Sequence, residues 1–533
     1  MFQHVLCVFP YRRTRSSKTS FPPLGLEYVA AALRPYAERM DLVNFRHERR
    51  PSTQSFLRPE TDLVCYSINW PEDLELIRDD INALPPGVTT ILGGRTATEN
   101  PRYWLEECPN VDAVVCGDGE QAIAEIAEGR PWSEIAGLAY RGRDGQLLFN
   151  RPRDNVPLDD NLMPARELRR HPYYLTTKGV STGIKVDQVA GSRGCPFNCR
   201  FCNFSINPWG VKRCWAPRSP ESIVHEIEQI DADLVLFVDD VFTFQPDRVL
   251  AICDLLIAKG IQKHYIVNAR LEIAKRPDVL RKMEQAGFIA MLVGVESTQD
   301  VTLKSMGKGF TIEQVRERFQ VLRKSKMIIN AYFIVGNLGE TEEQMLSTAS
   351  FARSLGVDLI HVSRLRNEPY SGLGELVAQT PGYHIDAEGF VYSDAYSAEL
   401  IADLRKQIDR QFHTPRHVMH VVLKLIRIMN WRAKAKALLT IPVFLARILA
   451  AQVVRKVRKW MGLEKKSADG VVPRPHCLSG RRTNGGELLA LRAEFLAEGP
   501  ANHRICLRAE TSQSPHCLSG RRTSYSSSEG RSR

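Results

Sequence analysis

Short apolar runs alternate with helical patterns along most of this chain, and they fall into two separate series. The first series occupies residues 1–145 and contains the runs HVLCVF, MDLVNF, TDLVCYSI, TTILGG and VDAVVCG. Helical patterns such as LGLEYVAAALRPYA lie between some of these runs. Strands this apolar, joined by helices, are typical of a parallel sheet covered on both faces. We therefore predict a doubly wound, flavodoxin-like α/β domain for residues 1–145.

The second series occupies residues 185–400 and contains six apolar runs: DQVAGS, DLVLFVDD, HYIVNAR, IAMLVGVES, IINAYFIVG and LIHVSRL. Helical patterns separate most of them, so the series predicts a parallel (β/α)6 barrel. Such a barrel is partial, because about eight units are needed to close one. In parallel barrels the chemistry takes place at the carboxyl ends of the strands. The residues that follow the strands are therefore the candidates for a site.

The remaining segments differ in composition from the two α/β series. Residues 146–184 are rich in Pro, Arg and Asp, which predicts a linker. Residues 401–464 are helical in pattern and basic, and residues 465–533 are rich in Ser, Arg and Gly, which predicts a basic helical extension followed by a disordered tail. The sequence PHCLSGRRT occurs twice in that tail. We interpret it as a duplication without a metal-binding role.

Three closely spaced cysteines follow the first strand of the barrel series. The sequence GCPFNCRFC contains Cys195, Cys199 and Cys202, whereas most other cysteines are single and form no disulfide framework. This usage indicates a reducing cytosol, where such a cluster implies metal or redox chemistry. Three thiolates can bind three irons of a four-iron cubane and leave the fourth iron open. A zinc site with Cys214 as a fourth ligand is the alternative, although its spacing would be unusual.

Acidic residues follow later strands of the same series. Asp239 and Asp240 come after the second strand, and Glu296 ends the fourth. In a parallel barrel these carboxylates would converge with the cysteines on one mouth. The aspartate pair can also be interpreted as a cap of the helix that begins at PDRVL.

The cysteine spacing, with Phe201 directly before the last cysteine, resembles the radical S-adenosylmethionine (SAM) superfamily. The resemblance continues through FVDDVFTF and GFIAMLVGVEST and covers about residues 185–370. It implies a [4Fe–4S] cluster whose free iron binds the amino and carboxylate groups of SAM. Reductive cleavage of SAM would then produce a 5′-deoxyadenosyl radical. The implied cluster ligands are Cys195, Cys199 and Cys202.

The same resemblance implies where SAM would lie. Asp239 or Asp240 would be near its amino group, and Gly294 to Glu296 would be near its adenosine. The resemblance also implies that Phe201, beside the last cysteine, contributes to cofactor binding. Arg270 and Asn330 lie on later strands where SAM contacts are common, and each can equally be a satisfied polar group at a strand end.

The amino-terminal domain resembles the cobalamin-binding domain that precedes many radical SAM barrels. The sequences PPLGLEYVAAAL, DLVCYSI, ILGGRTAT and VVCGDGEQAI carry this resemblance. It implies that Ser67, Gly93 and Gly94 accommodate the nucleotide tail of cobalamin. Without the resemblance, the spacing of the glycines is equally consistent with simple turns. One departure is that the loop from residue 10 to residue 23 contains no histidine to act as a lower cobalt ligand. Cobalamin would then bind without one, or the domain has lost cobalamin.

Together the two resemblances imply an enzyme that methylates an unactivated carbon, with methylcobalamin as the methyl donor and a flavodoxin or ferredoxin as the electron donor. The alternatives are a radical cyclase or oxidoreductase, as in oxidative ring formation on tetrapyrroles, and a non-catalytic iron–sulfur or cobalamin sensor. The substrate class is a small molecule or a lipid-like compound.

Positive charge is concentrated near the carboxyl-terminal end of the chain. Of a net charge of +11, twelve Lys or Arg and no Asp or Glu lie between residues 410 and 460, so we expect no nucleic-acid partner. Arg447 interrupts the apolar part of this segment, which argues against a membrane-spanning helix. A basic amphipathic helix on anionic lipid and a helix packed on the barrel both remain open. The start MFQHVLCVFPYRR lacks the charge order of a signal peptide, which favours a cytoplasmic protein, with membrane association at the inner face as a further hypothesis.

Overall fold

The structure of the protein is a computed structural model. It describes residues 1–12, 21–49, 51–154, 157–177, 180–204, 213–430 and 434–435. The predicted tail and half of the predicted basic extension (401–464) lie outside these residues. No helix within the described part of the chain is long and apolar enough to cross a membrane.

The amino-terminal domain is built on a seven-stranded sheet in the order β2-β1-β3-β4-β5-β6-β7. Its first five strands are parallel, and β6 and β7 extend the sheet as antiparallel strands. The parallel part has the flavodoxin-like order, which confirms the predicted fold class. The strands are β1 (Phe2–Phe9), β2 (Ala37–Asn44), β3 (Thr61–Ser67), β4 (Thr89–Gly93), β5 (Ala113–Val115), β6 (Leu138–Arg141) and β7 (Leu147–Phe149). The helices are α1 (Leu24–Leu33), α2 (Leu74–Asn82), α3 (Arg95–Glu99), α4 (Pro101–Glu107) and α5 (Glu120–Ala127).

The second large sheet has the order β16-β15-β14-β13-β12-β9-β8. Its six predicted strands are all parallel, and β8 adds an antiparallel edge, so the partial barrel is confirmed. Two further strand pairs, β10 with β11 and β17 with β18, lie outside this sheet. The strands are β8 (Tyr174–Thr177), β9 (Val180–Val189), β10 (Ser192–Arg193), β11 (Ala216–Pro217), β12 (Leu234–Phe237), β13 (His264–Ala269), β14 (Phe288–Glu296), β15 (Ile328–Val335), β16 (Leu359–Arg364), β17 (Tyr383–Ile385) and β18 (Val391–Ser393).

Helices follow the barrel strands and begin at clear sequence signals. Proline opens α6, α7 and α8, where its missing N–H leaves no hydrogen bond unmade. Thr311 and Thr341 form capping boxes at α10 and α11. The helices are α6 (Pro220–Gln229), α7 (Pro246–Ala258), α8 (Pro277–Gln285), α9 (Asp300–Ser305), α10 (Ile312–Leu322), α11 (Glu342–Leu355), α12 (Leu373–Ala378), α13 (Ala398–Phe412) and α14 (Pro415–Ile428).

The segment 146–184, which its composition predicts as a linker, contributes to both sheets. It contains β7 of the first sheet and β8 with the start of β9 in the second. The strands β7 and β8 have only three and four residues, and the overall composition of a segment does not reveal strands this short.

Alternation along the barrel strands separates a helix-facing side from an interior side. On β15, Ile329, Ala331 and Phe333 belong to the apolar core, whereas Asn330 and Tyr332 face the other way and are only half-buried. The barrel interior is therefore lined in part by polar side chains, and the predicted site residues lie at its carboxyl-terminal end.

Candidate active site

The three predicted cluster cysteines lie in one loop at the carboxyl end of β9. The antiparallel pair β10–β11 closes the base of this loop, and the Cys202 N–H donates to the Cys199 carbonyl oxygen at 3.0 Å. All three thiols are half-buried. Burial raises the pKa of Cys195 and raises that of Cys202 to about 12, and the neighbouring thiols add to both shifts. The protein alone disfavours the thiolate forms of Cys195 and Cys202, and a positively charged iron centre would reverse that preference.

The arrangement differs from a site for one metal ion. Within the described residues, no group of three or more His, Cys, Asp or Glu side chains converges to hold a single ion. A four-iron cluster needs a different geometry, since each thiolate binds a different iron. Three neighbouring thiols in a half-buried loop fit that requirement.

Gly194 precedes the first cysteine and has the left-handed φ of +75°. A Cβ atom there would lie 2.6 Å from the carbonyl oxygen of Cys214. Only glycine therefore allows the two ends of the loop to approach this closely. Cys214 itself is exposed, whereas the three motif cysteines are half-buried.

The adjacent aspartates after β12 have different partners. Asp239 is fully buried, and its carboxylate accepts hydrogen bonds from the Gly191 N–H at 2.8 Å and from the Ser192 hydroxyl at 2.5 Å. Arg248 donates to the Gly191 carbonyl oxygen at 2.5 Å and reinforces the same turn. Asp239 thus holds the segment that leads from β9 into the cysteine loop.

Asp240 is the member of the pair that faces the cysteines. Burial raises the pKa of Asp240 to about 6, while the Arg213 guanidinium and the Gly194 N–H act in the opposite direction. Its charge also raises the pKa of Cys195 and of Cys202. A carboxylate beside the cysteines can accept hydrogen bonds from a ligand amino group.

Glu296 and Gly294 form one unit at the end of β14. Glu296 has a φ of +74°, which is unusual for a residue other than glycine, and its carboxylate lies 3.1 Å from the Lys308 ammonium. The register between β14 and β15 shifts at this point. A Cβ at Gly294 would collide with the Glu296 carboxylate. Gly294 is therefore needed so that Glu296 can fold back to Lys308, a partner that sequence reasoning missed.

Arg270, interpreted from the sequence as a SAM contact or a strand-end group, packs against the cysteine loop. Its guanidinium carbon lies 3.6 Å from the centroid of the Phe197 ring, and Nη1 lies 3.9 Å from the Cys199 sulfur. Nη2 donates to the Lys308 carbonyl oxygen at 2.8 Å. Arg270 thus ties the loop to the segment after α9. No local signal in the sequence pairs these residues.

Phe201 and Asn330 occupy different surroundings. Phe201 packs on an apolar cluster that includes Met306 and Leu365, so it anchors the loop. The Asn330 side-chain oxygen is buried and has no hydrogen-bond partner among the described residues. An unpaired acceptor of this kind on the interior side of β15 suits a polar ligand such as an adenosyl group. Tyr332 and His361 lie on the same wall with ring centroids 5.2 Å apart, and sequence reasoning missed both residues.

The predicted cobalamin-contacting residues lie together at the carboxyl edge of the first sheet. Ser67 ends β3 and accepts a hydrogen bond from the Asn69 side chain at 3.0 Å. Gly94 has a φ of +91°, and a Cβ there would lie 2.7 Å from the Ile68 carbonyl oxygen. At Gly93 the nearest atom to a Cβ would be the Val115 carbonyl oxygen, 3.9 Å away. The fold itself requires glycine only at 94, whereas a Cβ at Gly93 would make only an ordinary van der Waals contact.

The carboxyl edges of the two sheets face each other and are in direct contact. On one side of the interface, Arg193 pairs with Glu120 at 2.5 Å and Arg213 with Asp118 at 3.3 Å. On the other side, the Tyr370 hydroxyl donates to the Glu99 carbonyl oxygen at 3.1 Å. Each contact joins a residue that follows a strand of the first sheet to one that follows a strand of the barrel. The two candidate cofactor sites therefore open toward one another.

Two family models match the chain, one in the barrel and one in the amino-terminal domain. The Radical SAM superfamily matches residues 189–352, and the B12 binding domain matches residues 13–127. The chain therefore carries a radical SAM domain and, ahead of it, a B12-binding domain. These matches confirm the predicted cofactors: a [4Fe–4S] cluster and SAM for the barrel, and cobalamin for the amino-terminal domain.

Similar proteins include enzymes of two kinds. An uncharacterised methyltransferase of Pyrococcus horikoshii is 27% identical over 353 residues, which are 64% of this chain and 75% of that protein. The anaerobic magnesium-protoporphyrin IX monomethyl ester cyclase of Rubrivivax gelatinosus is 28% identical over 300 residues, 54% of this chain and about half (53%) of the cyclase. The radical SAM methyltransferase TsrM from Kitasatospora setae has the same fold, with a TM-score of 0.59 and 16% identity over 81% of this chain and 92% of that chain.

Proposed function

We propose that this enzyme cleaves SAM reductively and uses the resulting 5′-deoxyadenosyl radical for cobalamin-dependent methylation of an unactivated carbon. The observation that carries the proposal is the opposition of the two carboxyl edges, which are joined by the pairs Arg193–Glu120 and Arg213–Asp118. A methyl donor held at one edge and a radical formed at the other would meet in the space between them. When bound, the cluster supplies the electron for SAM cleavage, and cobalamin supplies the methyl group.

The barrel residues have separate parts in this proposal. Cys195, Cys199 and Cys202 would hold the cluster through three of its irons. Asp240 would accept hydrogen bonds from the amino group of SAM, since it lies beside the cysteines, while Asp239 is occupied by its own segment. The unpaired oxygen of Asn330 would accept a hydrogen bond from the adenosine.

Glu296 would also lie near the adenosine, with its position fixed by Lys308. Gly294 would provide the room for this arrangement. Phe201 and Arg270 would act indirectly by holding the cysteine loop in place.

In the amino-terminal domain, Ser67, Gly93 and Gly94 would accommodate the cobalamin tail. The lack of a side chain at Gly93, which the fold itself does not require, supports this role, because a large ligand needs close access to the backbone at that edge. The loop after β1 offers no histidine to the cobalt, so binding would depend on contacts to the tail and the corrin ring.

The substrate would be a small molecule or a lipid-like compound, and a flavodoxin or ferredoxin would deliver the electron. We place the enzyme in the cytoplasm, in peripheral contact with the inner face of the membrane. A second candidate reaction is a radical cyclisation or oxidation, which the similarity to the cyclase favours.

Product analysis under anaerobic conditions tests the proposal. The full chain is reconstituted with iron, sulfide and cobalamin, reduced, and supplied with SAM and candidate substrates, and the products are identified by mass spectrometry. Methylation yields both 5′-deoxyadenosine and S-adenosylhomocysteine, since a second SAM remakes the methyl donor. Formation of 5′-deoxyadenosine without S-adenosylhomocysteine would favour the cyclase alternative. If neither compound forms, the proposed reaction is wrong.

A further inference from the structure

Helix α14 presents a concentration of exposed apolar side chains. Of the fourteen large apolar side chains that are exposed in the described residues, five lie on this one helix and are 37–59% exposed. Single exposed apolar residues are ordinary on a protein surface, but a contiguous patch indicates a partner. The five residues are Val418, Met419, Val422, Leu423 and Ile426.

Their spacing places them on one side of the helix. Val418, Val422 and Ile426 are four residues apart, and Met419 and Leu423 form the adjacent row. We call these five residues the α14 outer face. The opposite side of the helix packs on the barrel: Val421 is buried, and Leu425 and Ile428 join the apolar cluster that contains Leu234 and Ile289.

The helix is held firmly across the amino-terminal end of the barrel. The Lys424 ammonium lies 2.7 Å from the Asp358 carboxylate, and His417 Nε2 lies 2.7 Å from the Asp358 carbonyl oxygen. The Asn430 N–H donates to His264 Nε2 at 3.1 Å. Asp358 directly precedes β16 and His264 begins β13, so these contacts are at the end of the barrel opposite the cysteines. The outer face is therefore exposed on a well-anchored helix.

The charges around the outer face restrict its partner. Arg416 and Arg427 are exposed on the same helix, and residues 410–460 contain twelve Lys or Arg and no Asp or Glu. A second copy docked face to face would bring these cations against one another, because a two-fold contact is made by the same patch twice. Residues 436–460 of this chain contain six further Lys or Arg and no Asp or Glu, so they offer Arg416 and Arg427 no opposite charge. An anionic surface is complementary.

We propose that the α14 outer face is a docking surface for an anionic lipid bilayer. The aliphatic side chains would enter the headgroup region, and Arg416 and Arg427 would pair with lipid phosphates. This inference deepens the proposed membrane contact and does not depend on the proposed reaction. It places the bilayer at the amino-terminal end of the barrel, so the mouth with the cysteines faces away from it. The contact therefore tethers the enzyme and does not feed lipid directly into the site.

Vesicle sedimentation of the full chain tests the docking surface. The vesicles contain equal parts of phosphatidylglycerol and phosphatidylcholine, and neither SAM nor reductant is added. We expect the wild-type protein to bind, and Met419→Glu/Leu423→Glu to lower the partition coefficient at least about tenfold. The matched control is Leu76→Glu/Val301→Glu, which adds the same charge at exposed apolar positions elsewhere and should bind as the wild type does.

A second variant leaves the apolar side chains of α14 unchanged, so it tests the docking surface even if the first variant unfolds. Arg416→Gln/Arg427→Gln should weaken binding about fivefold for each charge removed, and raising the salt should weaken wild-type binding. Formation of 5′-deoxyadenosine should be unchanged in every variant, which separates this test from that of the reaction.

Three results would overturn the inference. One is absence of wild-type binding, and the second is equal binding to pure phosphatidylcholine vesicles. The third is normal binding by both α14 variants, Met419→Glu/Leu423→Glu and Arg416→Gln/Arg427→Gln. Light scattering that shows a dimer dissociated by Met419→Glu/Leu423→Glu would assign the face to a second copy instead.

Discussion

The two facing carboxyl edges are built in different ways. At the barrel edge, charged side chains hold one another in place: Arg270 spans from the cysteine loop to the segment after α9, and Lys308 pairs with Glu296. At the edge of the amino-terminal sheet, the candidate positions are Ser67, Gly93 and Gly94, which offer little side chain at all. One edge is rigid because many groups are paired there. The other presents little side chain to a ligand that approaches its backbone.

This contrast matches the demands of the two cofactors. Cleavage of SAM requires three thiols, a carboxylate and the nucleoside to be fixed within a small volume, and such positioning comes from supporting contacts on several strands. A cobalamin tail has to pass close to the backbone, and glycine permits that approach. The barrel edge should therefore be sensitive to the loss of charge or thiol groups, and the other edge to the addition of bulk.

The largest effect is expected at the cysteines. Cys195→Ala, Cys199→Ala and Cys202→Ala should each abolish 5′-deoxyadenosine formation, because each removes the ligand of one iron. Cys214→Ala is the control, and its cluster absorbance and SAM cleavage should match those of the wild type. Equal damage from Cys214→Ala would mean that four cysteines form a structural site.

Within the barrel edge, the adjacent aspartates should separate stability from SAM binding. Asp239→Asn puts an amide N–H₂ among donors from Gly191 and Ser192, so we expect a loss of about 3 kcal/mol in the free energy of unfolding. Asp240→Asn should change that free energy by less than about 1 kcal/mol but raise the KM for SAM about tenfold, since a charge-assisted hydrogen bond is lost. Urea unfolding and initial rates measure the two effects. Equal destabilisation by both variants would contradict the division of roles.

The sequence supported the architecture better than it supported the pairing of side chains. Apolar runs are local, so both parallel sheets followed from them, and the three cysteines lie within eight consecutive residues. The contact of Arg270 with Cys199 joins residues 71 positions apart, and it exists only because the sheet brings their strands together. The different partners of Asp239 and Asp240 also depend on a distant segment, since both carboxylates accept hydrogen bonds from residues that follow β9.

The contacts between the two edges allow a smaller, more specific effect. Asp118→Asn removes the charge that faces Arg213, and this pair is partly exposed, so stability should fall by no more than about 1 kcal/mol. The two cofactor sites would be held less accurately, and we expect methylation to fall about tenfold while 5′-deoxyadenosine is still formed. Glu106→Gln, which breaks an exposed pair with Arg102 inside one domain, is the matched control. A parallel loss of both products would show that Asp118 acts on SAM cleavage instead.

The smallest effect on SAM cleavage is expected from a larger side chain at Gly93, on the carboxyl edge of the amino-terminal sheet. Gly93→Val adds methyl groups where the nearest atom to a Cβ is 3.9 Å away, so the protein should fold normally. The added side chain would occupy the space proposed for the cobalamin tail, and we expect cobalamin retention to fall at least about tenfold with SAM cleavage largely preserved. Gly94→Ala is the contrasting variant: its φ of +91° and the collision with Ile68 should destabilise the domain by more than about 1 kcal/mol. Absorbance of bound cobalamin and thermal unfolding distinguish the two. If Gly93→Val keeps its cobalamin, the tail does not pass beside β4, and the ligand lies elsewhere along the edge.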